Sequence, residues 1–190
     1  TPPEWAVIGR SMQHYARGIA YANTNQIEKA RDELSLFDEA VKRIPSEDWF
    51  LGNQEAVDIM PLARLVLVGE IEFKAGNRKE GLDALAEAVD LEFELKYAEP
   101  APWMMPARHA YGALLIVDEQ YEKAEKIYMQ DLEVYPANGW ALLGLRDALL
   151  GQGRNEEAAF ADRAFKLAWQ SADVLPPASC YCGSAVVLAD

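Results

Sequence analysis

Small and polar residues recur along this chain in a pattern that predicts a repeated unit. Four segments share a polar start, a charged pair and a small last residue: Gln26-Ile-Glu-Lys-Ala30, Asn77-Arg-Lys-Glu-Gly81, Gln120-Tyr-Glu-Lys-Ala124 and Arg154-Asn-Glu-Glu-Ala158. Their small last residues are separated by 51, 43 and 34 positions. The last interval is one 34-residue repeat, and the first two exceed that length by 17 and 9. A fixed period of this size predicts a repeat protein, here with two insertions.

Further positions in each unit predict how its helices pack. Glycines lie twelve residues before the first three small residues: Gly18, Gly69 and Gly112. A small residue on each helix of a pair lets the two axes approach closely, so that larger side chains interlock around the contact. Larger side chains follow one helical turn after the same small residues: Leu34, Leu85 and Tyr128. We expect these to fill the space between successive helix pairs.

The third unit carries this pattern most completely, in Gly112, Leu115, Ala124, Tyr128 and Pro136. In these residues the chain resembles the tetratricopeptide repeat (TPR) family, and the resemblance covers roughly residues 11–172. It implies antiparallel helix pairs stacked into a right-handed superhelix. The expected fold is therefore all-α: a TPR-like helical-hairpin solenoid of about four repeats, followed by a tail at 173–190 outside the repeats.

The repeat pattern also predicts the boundaries of a single solenoid domain over residues 1–172. The repeats lie near 11–44, 62–95, 105–138 and 139–172, and the insertions lie near 45–61 and 96–104. The fourth repeat departs from the pattern, because Arg146 stands where a small residue is expected and Asp162 replaces a bulky apolar residue. Gly144 comes two positions early. We interpret this unit as an altered end repeat.

A narrower resemblance links four stretches to the C-terminal part of a group of uncharacterised bacterial tetratricopeptide proteins. The stretches are Pro102-Trp-Met-Met-Pro-Ala-Arg-His-Ala-Tyr-Gly112, Tyr135-Pro-Ala-Asn-Gly-Trp140, Ala168-Trp-Gln-Ser-Ala-Asp173 and the Ser-Cys-Tyr-Cys that ends at Cys182. Proteins of that group often carry further, His-rich repeats upstream. This sequence contains two histidines and no such repeats. It therefore carries no information on a function of those repeats.

The charge of the chain narrows the classes of partner. There are 31 acidic and 18 basic residues, which gives a formal net charge of −13. Because phosphate groups and anionic lipids attract cations, a chain this acidic is unsuited to nucleic acid and to anionic membranes. No run approaches the roughly 18 apolar residues of a membrane span, so we expect a soluble chain.

The start of the sequence bears on localisation. It lacks the basic and then apolar order of a signal peptide. The missing initiating Met leaves open the removal of an earlier segment. The compartment therefore stays open, with the cytoplasm favoured.

In the tetratricopeptide family the first helices line a concave groove, and the resemblance assigns seven residues to it: Tyr15, Asn23, Glu70, Lys74, Arg108, His109 and Trp140. Aromatic rings supply contact area and polar groups fix register, a combination that suits an extended peptide or a helix. The expected partner is therefore a protein or peptide segment, neutral or basic because the chain is acidic. The same residues are also compatible with a role as ordinary surface or packing residues. Arg108 is equally compatible with an ion pair to a Glu of another repeat.

The two insertions contain residues that the repeat does not need, and such segments commonly carry function. In the first, Trp49 and Phe50 are candidate contacts with a partner; in the second, Trp103 and Met104 are. Three prolines make the second stretch extended and stiff: Pro100, Pro102 and Pro106. The alternative is that the aromatic side chains of the insertions fill gaps between widely spaced repeats.

Cys180 and Cys182 are the sharpest chemical feature, and they are the only cysteines. Two thiols at this spacing can hold a soft metal ion or form a disulfide. Alone they would fill half of a tetrahedral site, and they are closer together than the usual zinc pair.

The sequence shows no phosphate-binding glycine loop, paired metal-ligand helix or nucleophile motif. It therefore predicts a protein-interaction scaffold and no enzyme. The alternatives are metal or thiol-redox chemistry at the two cysteines, and a structural subunit of a larger assembly. The partner and the oligomeric state are left open.

Overall fold

A computed structural model describes residues 6–45 and 49–182. This part of the chain contains eight α-helices in the order α1 (Val7–Asn23), α2 (Ile27–Val41), α3 (Ala56–Lys74), α4 (Arg78–Glu94), α5 (Ala107–Val117), α6 (Tyr121–Val134), α7 (Gly139–Gly151) and α8 (Asn155–Ala168). A short antiparallel hairpin in the first insertion joins β1 (Phe50–Leu51) to β2 (Gln54–Glu55). The predicted all-α class is confirmed for the described residues, with this hairpin as an addition that the sequence did not predict.

The helices form four consecutive pairs, and the turn inside each pair has the same construction. Each turn is three residues long, and its middle residue has a positive φ: Asn25, Gly76, Glu119 and Gly153. The residue after it donates its backbone N–H to the carbonyl five positions earlier; Gln26, for example, donates to Tyr21 at 2.8 Å and Asn77 to Glu72 at 2.9 Å. This left-handed cap satisfies the last carbonyls of the helix and reverses the chain. One local geometry is thus used four times.

The chain divides into two compact units, Thr1–Ala107 and Arg108–Asp190. In the N-terminal unit, α3 packs against α1, α2 and α4, and α1 also packs against α2. In the C-terminal unit, α7 packs against α6 and α8. The predicted single solenoid over 1–172 requires the pairs to continue regularly from one unit to the next, and this stays a prediction.

Helix α3 is the centre of the N-terminal unit. It is apolar on most of its circumference, which is typical of a helix that is covered on several sides. The core side chains that it contributes are almost fully buried: Ile59, Met60, Leu62, Ala63, Val66, Leu67 and Ile71. A Cβ atom added to Gly18 of α1 would lie 2.7 Å from the Leu67 side chain. The first glycine of the repeat pattern therefore makes room for a neighbouring helix.

Gly69 and Gly81 place the backbones of α3 and α4 in direct contact. A Cβ atom added to Gly81 would lie 2.7 Å from the Gly69 carbonyl oxygen and 2.6 Å from the Phe73 amide nitrogen. Both obstacles are backbone atoms of α3, so a side-chain rotation cannot relieve the overlap.

We expect Gly81→Ala to lower the free energy of unfolding by roughly 1–3 kcal/mol, the usual cost of overpacking a tight contact. The expected loss goes against helix propensity, which favours alanine over glycine by about 1 kcal/mol. Urea unfolding followed by circular dichroism measures it. Asp90→Ala, at an exposed position of the same helix, is the control. A stabilised Gly81→Ala variant would show that α3 and α4 are further apart.

Tyr128 fills the middle of the C-terminal unit between two glycines. Its ring would lie 2.5 Å from a Cβ atom on Gly112 of α5 and 2.1 Å from one on Gly144 of α7. The buried ring therefore replaces side chains on both neighbouring helices. This accounts for the position of Gly144, which is early for its own pair because it meets the ring of the preceding pair.

The fourth pair departs from the repeat at two other positions, Arg146 and Asp162, and both carry charged side chains. Arg146 of α7 lies 3.4 Å from the Asp162 carboxylate of α8 and 2.7 Å from the Asp147 carboxylate. An ion pair thus joins the positions where the repeat has a small and a bulky residue. Burial raises the pKa of Asp147, and the Arg146 charge opposes that shift.

Candidate functional site

The groove candidates Asn23 and Glu70 meet inside the N-terminal unit. The side-chain amide of Asn23 donates to the Glu70 carboxylate at 2.6 Å, which joins α1 to α3. Glu70 is buried, and burial raises its pKa to about 7 against the favourable effects of the Asn23 hydrogen bond and the Lys74 charge. Lys74 lies one turn further along α3. The carboxyl group of Glu70 therefore titrates near neutral pH.

Tyr15 and Trp103 pack against each other, so the second insertion reaches α1. Their ring centroids are 5.4 Å apart with planes at 77°, an edge-to-face contact. Trp103 is buried, and its indole N–H has no hydrogen-bond partner in the part of the chain that is described. Burial and the nearby Glu70 charge raise the pKa of Tyr15, so its phenol stays neutral. At Trp103 the insertion fills space within the protein.

Arg108 and His109 are buried in the C-terminal unit around a carboxylate that the sequence analysis did not single out. Arg108 donates from Nε to Asp131 at 3.1 Å, and His109 Nε2 lies 3.3 Å from the same carboxylate. Asn138, just before α7, donates to Asp131 at 2.7 Å. Asp131 itself has no exposed surface. This buried cluster holds α5, α6 and the start of α7 together.

The sequence does contain a signal for Asp131. It follows Ala124 by seven positions and Tyr128 by three, and this spacing continues the buried stripe of α6. A carboxylate on a buried stripe requires partners. Arg108, His109 and Asn138 are those partners.

Trp140, the last groove candidate, belongs to an aromatic cluster. Its ring contacts Trp169 of α8 edge-on, with centroids 5.4 Å apart, and Tyr181 of the C-terminal segment at 5.3 Å. Trp169 in turn stacks on Phe165 and donates from its indole N–H to the Val174 carbonyl at 2.7 Å. The cluster fastens the segment after α8 to the last helix pair.

Cys180 and Cys182 are joined by a disulfide, and both are buried. In this form neither sulfur is a thiolate, so the pair offers no metal-binding thiolate until it is reduced. Nearby, Ser179 and Tyr128 share a hydrogen bond of 2.5 Å between their hydroxyl oxygens. The Cys182 sulfur lies 3.9 Å from the Ala110 carbonyl oxygen. These contacts hold the disulfide segment against α5 and α6.

The two insertions are hydrogen-bonded to each other. The Gln54 side chain donates to the Lys96 carbonyl at 2.8 Å and accepts from the Lys96 N–H at 3.2 Å, as a paired strand would. Asn53 donates to the Tyr97 carbonyl at 2.8 Å. Gln54 is 1% exposed, so its side-chain amide is shielded from water. A buried amide thus fixes the hairpin against the second insertion.

Large apolar side chains point outward from these joined segments. We define the insertion surface as Phe50, Val57, Tyr97 and Met104, whose exposed fractions are 52%, 42%, 80% and 84%. Trp49 is half-buried. Exposed large apolar side chains on segments joined in this way are candidates for an interaction site.

A groove opens beside this surface where α3 begins and α4 ends. Its volume is about 300 Å³. We define the insertion groove by its lining residues: Gln54, Val57, Asp58, Pro61, Leu91, Glu94, Leu95 and Lys96. A volume at the lower end of ligand pockets suits one or two side chains of a partner.

Comparison of the chain with protein-family models, with curated proteins and with solved structures finds no match. Of the helices in residues 6–45 and 49–182, none combines the length and the apolar character needed to cross a membrane.

Proposed function

We propose that this chain is a protein-interaction scaffold that binds a peptide or protein segment at the insertion surface and the adjoining insertion groove. One observation carries the proposal: exposed apolar side chains project from two insertions that a buried amide holds together. Because the segments are fixed before binding, a partner loses little free energy in ordering them. The repeated helix pairs serve as the rigid support.

Several groove candidates already have partners within the protein. Their contacts therefore favour the insertion surface as the binding site. Arg108 and His109 are engaged with Asp131, and Tyr15 with Trp103. A partner that used these groups would have to break buried contacts. Its own bonds to the protein would first have to offset the free energy lost with those contacts. Phe50 and Met104, in contrast, lose only water when they are covered.

A tetratricopeptide-like arrangement is part of the proposal. Its support is the four equivalent turns, and the packing of α3 against both helices of the preceding pair. Gly18 lies against Leu67 of the next pair, and Gly69 lies against Leu85 of its own pair.

We expect the double variant Phe50→Ser/Met104→Ser to bind peptides at least about tenfold more weakly than the unchanged chain. Truncating a central apolar anchor costs more than about 1 kcal/mol, and two such losses exceed that factor. The peptides are to be selected from a displayed random library on the immobilised protein, then measured singly by fluorescence anisotropy.

A matched control is Phe160→Ser/Leu167→Ser on α8, where both side chains are 67% exposed. This variant removes a comparable amount of apolar surface elsewhere, and its affinities should not change. Selected peptides that bind the insertion variant as tightly as the unchanged chain would contradict the proposal.

Thiol–disulfide exchange at Cys180 and Cys182 is a second candidate function, favoured by the bond between the two sulfurs. The ring that it closes has a sequence separation of 2. Constraining so short a loop stabilises the fold less than a long crosslink would. The bond is therefore better suited to local chemistry than to holding helices together.

We expect the disulfide to be reduced by dithiothreitol without denaturant. The dithiol is oxidised to its cyclic disulfide while both cysteines gain a proton and an electron. Because both sulfurs are buried, the reaction needs a local opening of the segment after α8, which costs less than global unfolding. Alkylation and mass spectrometry would count two modified thiols. Reduction only in denaturant would exclude an exchange function.

A further inference from the structure

The insertion groove combines an apolar floor with an acidic edge. Val57 and Pro61 of α3 face Leu91 and Leu95 at the end of α4. Asp58 and Glu94 are the acidic lining residues, and both are exposed. Within the described residues neither carboxylate is in a salt bridge, so each remains available to a cation from outside.

The surroundings of the groove add negative potential. Glu87 and Asp90 lie exposed on α4 before Glu94, and Lys96 is the one basic lining residue. The last turn of α4 contains no basic residue, so the partial negative charge of its terminal carbonyls is not compensated within the helix. The positive end of α3 already has Asp58 in its first turn.

The polar groups that line the groove differ in how available they are to a ligand. The Gln54 amide is used by the backbone of Lys96 and offers little to a ligand. What remains for recognition is two carboxylates and one ammonium group around an aliphatic floor. A partner complementary to this set carries more positive than negative charge.

We propose that the insertion groove takes a basic segment of a partner protein, with an aliphatic side chain on the floor and flanking lysine or arginine residues bound by Asp58 and Glu94. This inference rests on the proposed function and specifies the partner. The apolar contact supplies area, and the two carboxylates select the charge.

The test uses three pools of fluorescein-labelled ten-residue peptides with a central leucine. Its neighbours are arginine or lysine in the first pool, glutamine in the second and glutamate in the third, with serine and glycine elsewhere. The basic pool should bind the unchanged chain at least about tenfold more tightly than the acidic pool, and raising the salt concentration should reduce the difference.

Charge reversal at the groove should invert this preference. We expect Asp58→Lys/Glu94→Lys to lose about tenfold or more in affinity for the basic pool and to gain for the acidic pool. Glu122→Lys/Glu156→Lys, at exposed positions of α6 and α8, changes the net charge equally and should leave the preference intact. An equal loss in both variants would overturn the groove assignment in favour of nonspecific attraction.

The inference and the proposed function can fail separately. Binding of library-selected peptides can depend on Phe50 and Met104 while the unchanged chain binds the basic and acidic pools equally. In that case the scaffold function stands and the basic partner is wrong. If the acidic pool binds best, the charge assignment is likewise overturned. If no peptide depends on the insertion surface, both proposals fail.

Discussion

Asp131→Ala is expected to lower the free energy of unfolding by about 3–5 kcal/mol, the cost of removing one partner from a buried ion pair. The substitution leaves the Arg108 guanidinium buried without the carboxylate that it bonds at 3.1 Å. It also removes the carboxylate that accepts a hydrogen bond from Asn138. Urea unfolding monitored by circular dichroism and by tryptophan fluorescence measures the loss.

Two further variants separate charge from packing. Asp131→Asn keeps a carbonyl acceptor and removes the negative charge, so its loss should be smaller than that of Asp131→Ala. Glu133→Ala, at an exposed position of α6, should change the free energy of unfolding by no more than about 0.5 kcal/mol. A loss below about 1 kcal/mol for Asp131→Ala would mean that the cluster is solvated.

Glu70→Gln is expected to remove a pH dependence of stability. Burial raises the pKa of Glu70 from 4.5 to about 7, so the folded chain holds a proton that the unfolded chain releases. The resulting stabilisation is fully present below pH 4.5 and is lost as the pH rises through 7. Above pH 8 the unchanged chain should have lost about 3 kcal/mol relative to the glutamine variant, at 1.36 kcal/mol per pKa unit.

The measurement is the free energy of unfolding of both proteins in urea between pH 4.5 and 9. Glutamine retains the acceptor for Asn23 but cannot ionise, so the difference between the two proteins should grow with pH and then level off. Asp90→Asn, at an exposed position of α4, should show no such growth. A difference between the unchanged and Glu70→Gln proteins that is constant across this range would contradict a buried, proton-holding Glu70.

The helix pairs were predictable because their determinants are local and repeated. The approach of two helices is indicated by a small residue at a fixed offset, a polar turn and a second small residue. In the structure Gly69 and Gly81 meet backbone against backbone. The end of the first insertion, predicted near residue 61, falls within a helix that continues into the second pair. Pro61 lies inside α3, which begins at Ala56, and because proline has no N–H it cannot donate to the carbonyl four residues earlier.

The candidate site was less predictable because it depends on pairings between distant residues. Periodicity places Glu70 and Arg108 on helices but does not say which groups cover them; Asn23 and Asp131 are 47 and 23 positions away. Gln54 shows the same limit, since its bonds to Lys96 span 42 positions. Of the insertion residues, Phe50 and Met104 are exposed, as a binding role requires, whereas Trp103 fills space inside.

The most direct test of the central claim is hydrogen–deuterium exchange of the chain with and without a library-selected peptide. Binding at the insertion surface and groove should slow exchange in residues 50–58 and 91–97, because these amides lie beside the covered side chains. Exchange in α8 should stay the same. Protection confined to α5 and α7, with the insertions unaffected, would contradict the account and return the binding site to the first helices.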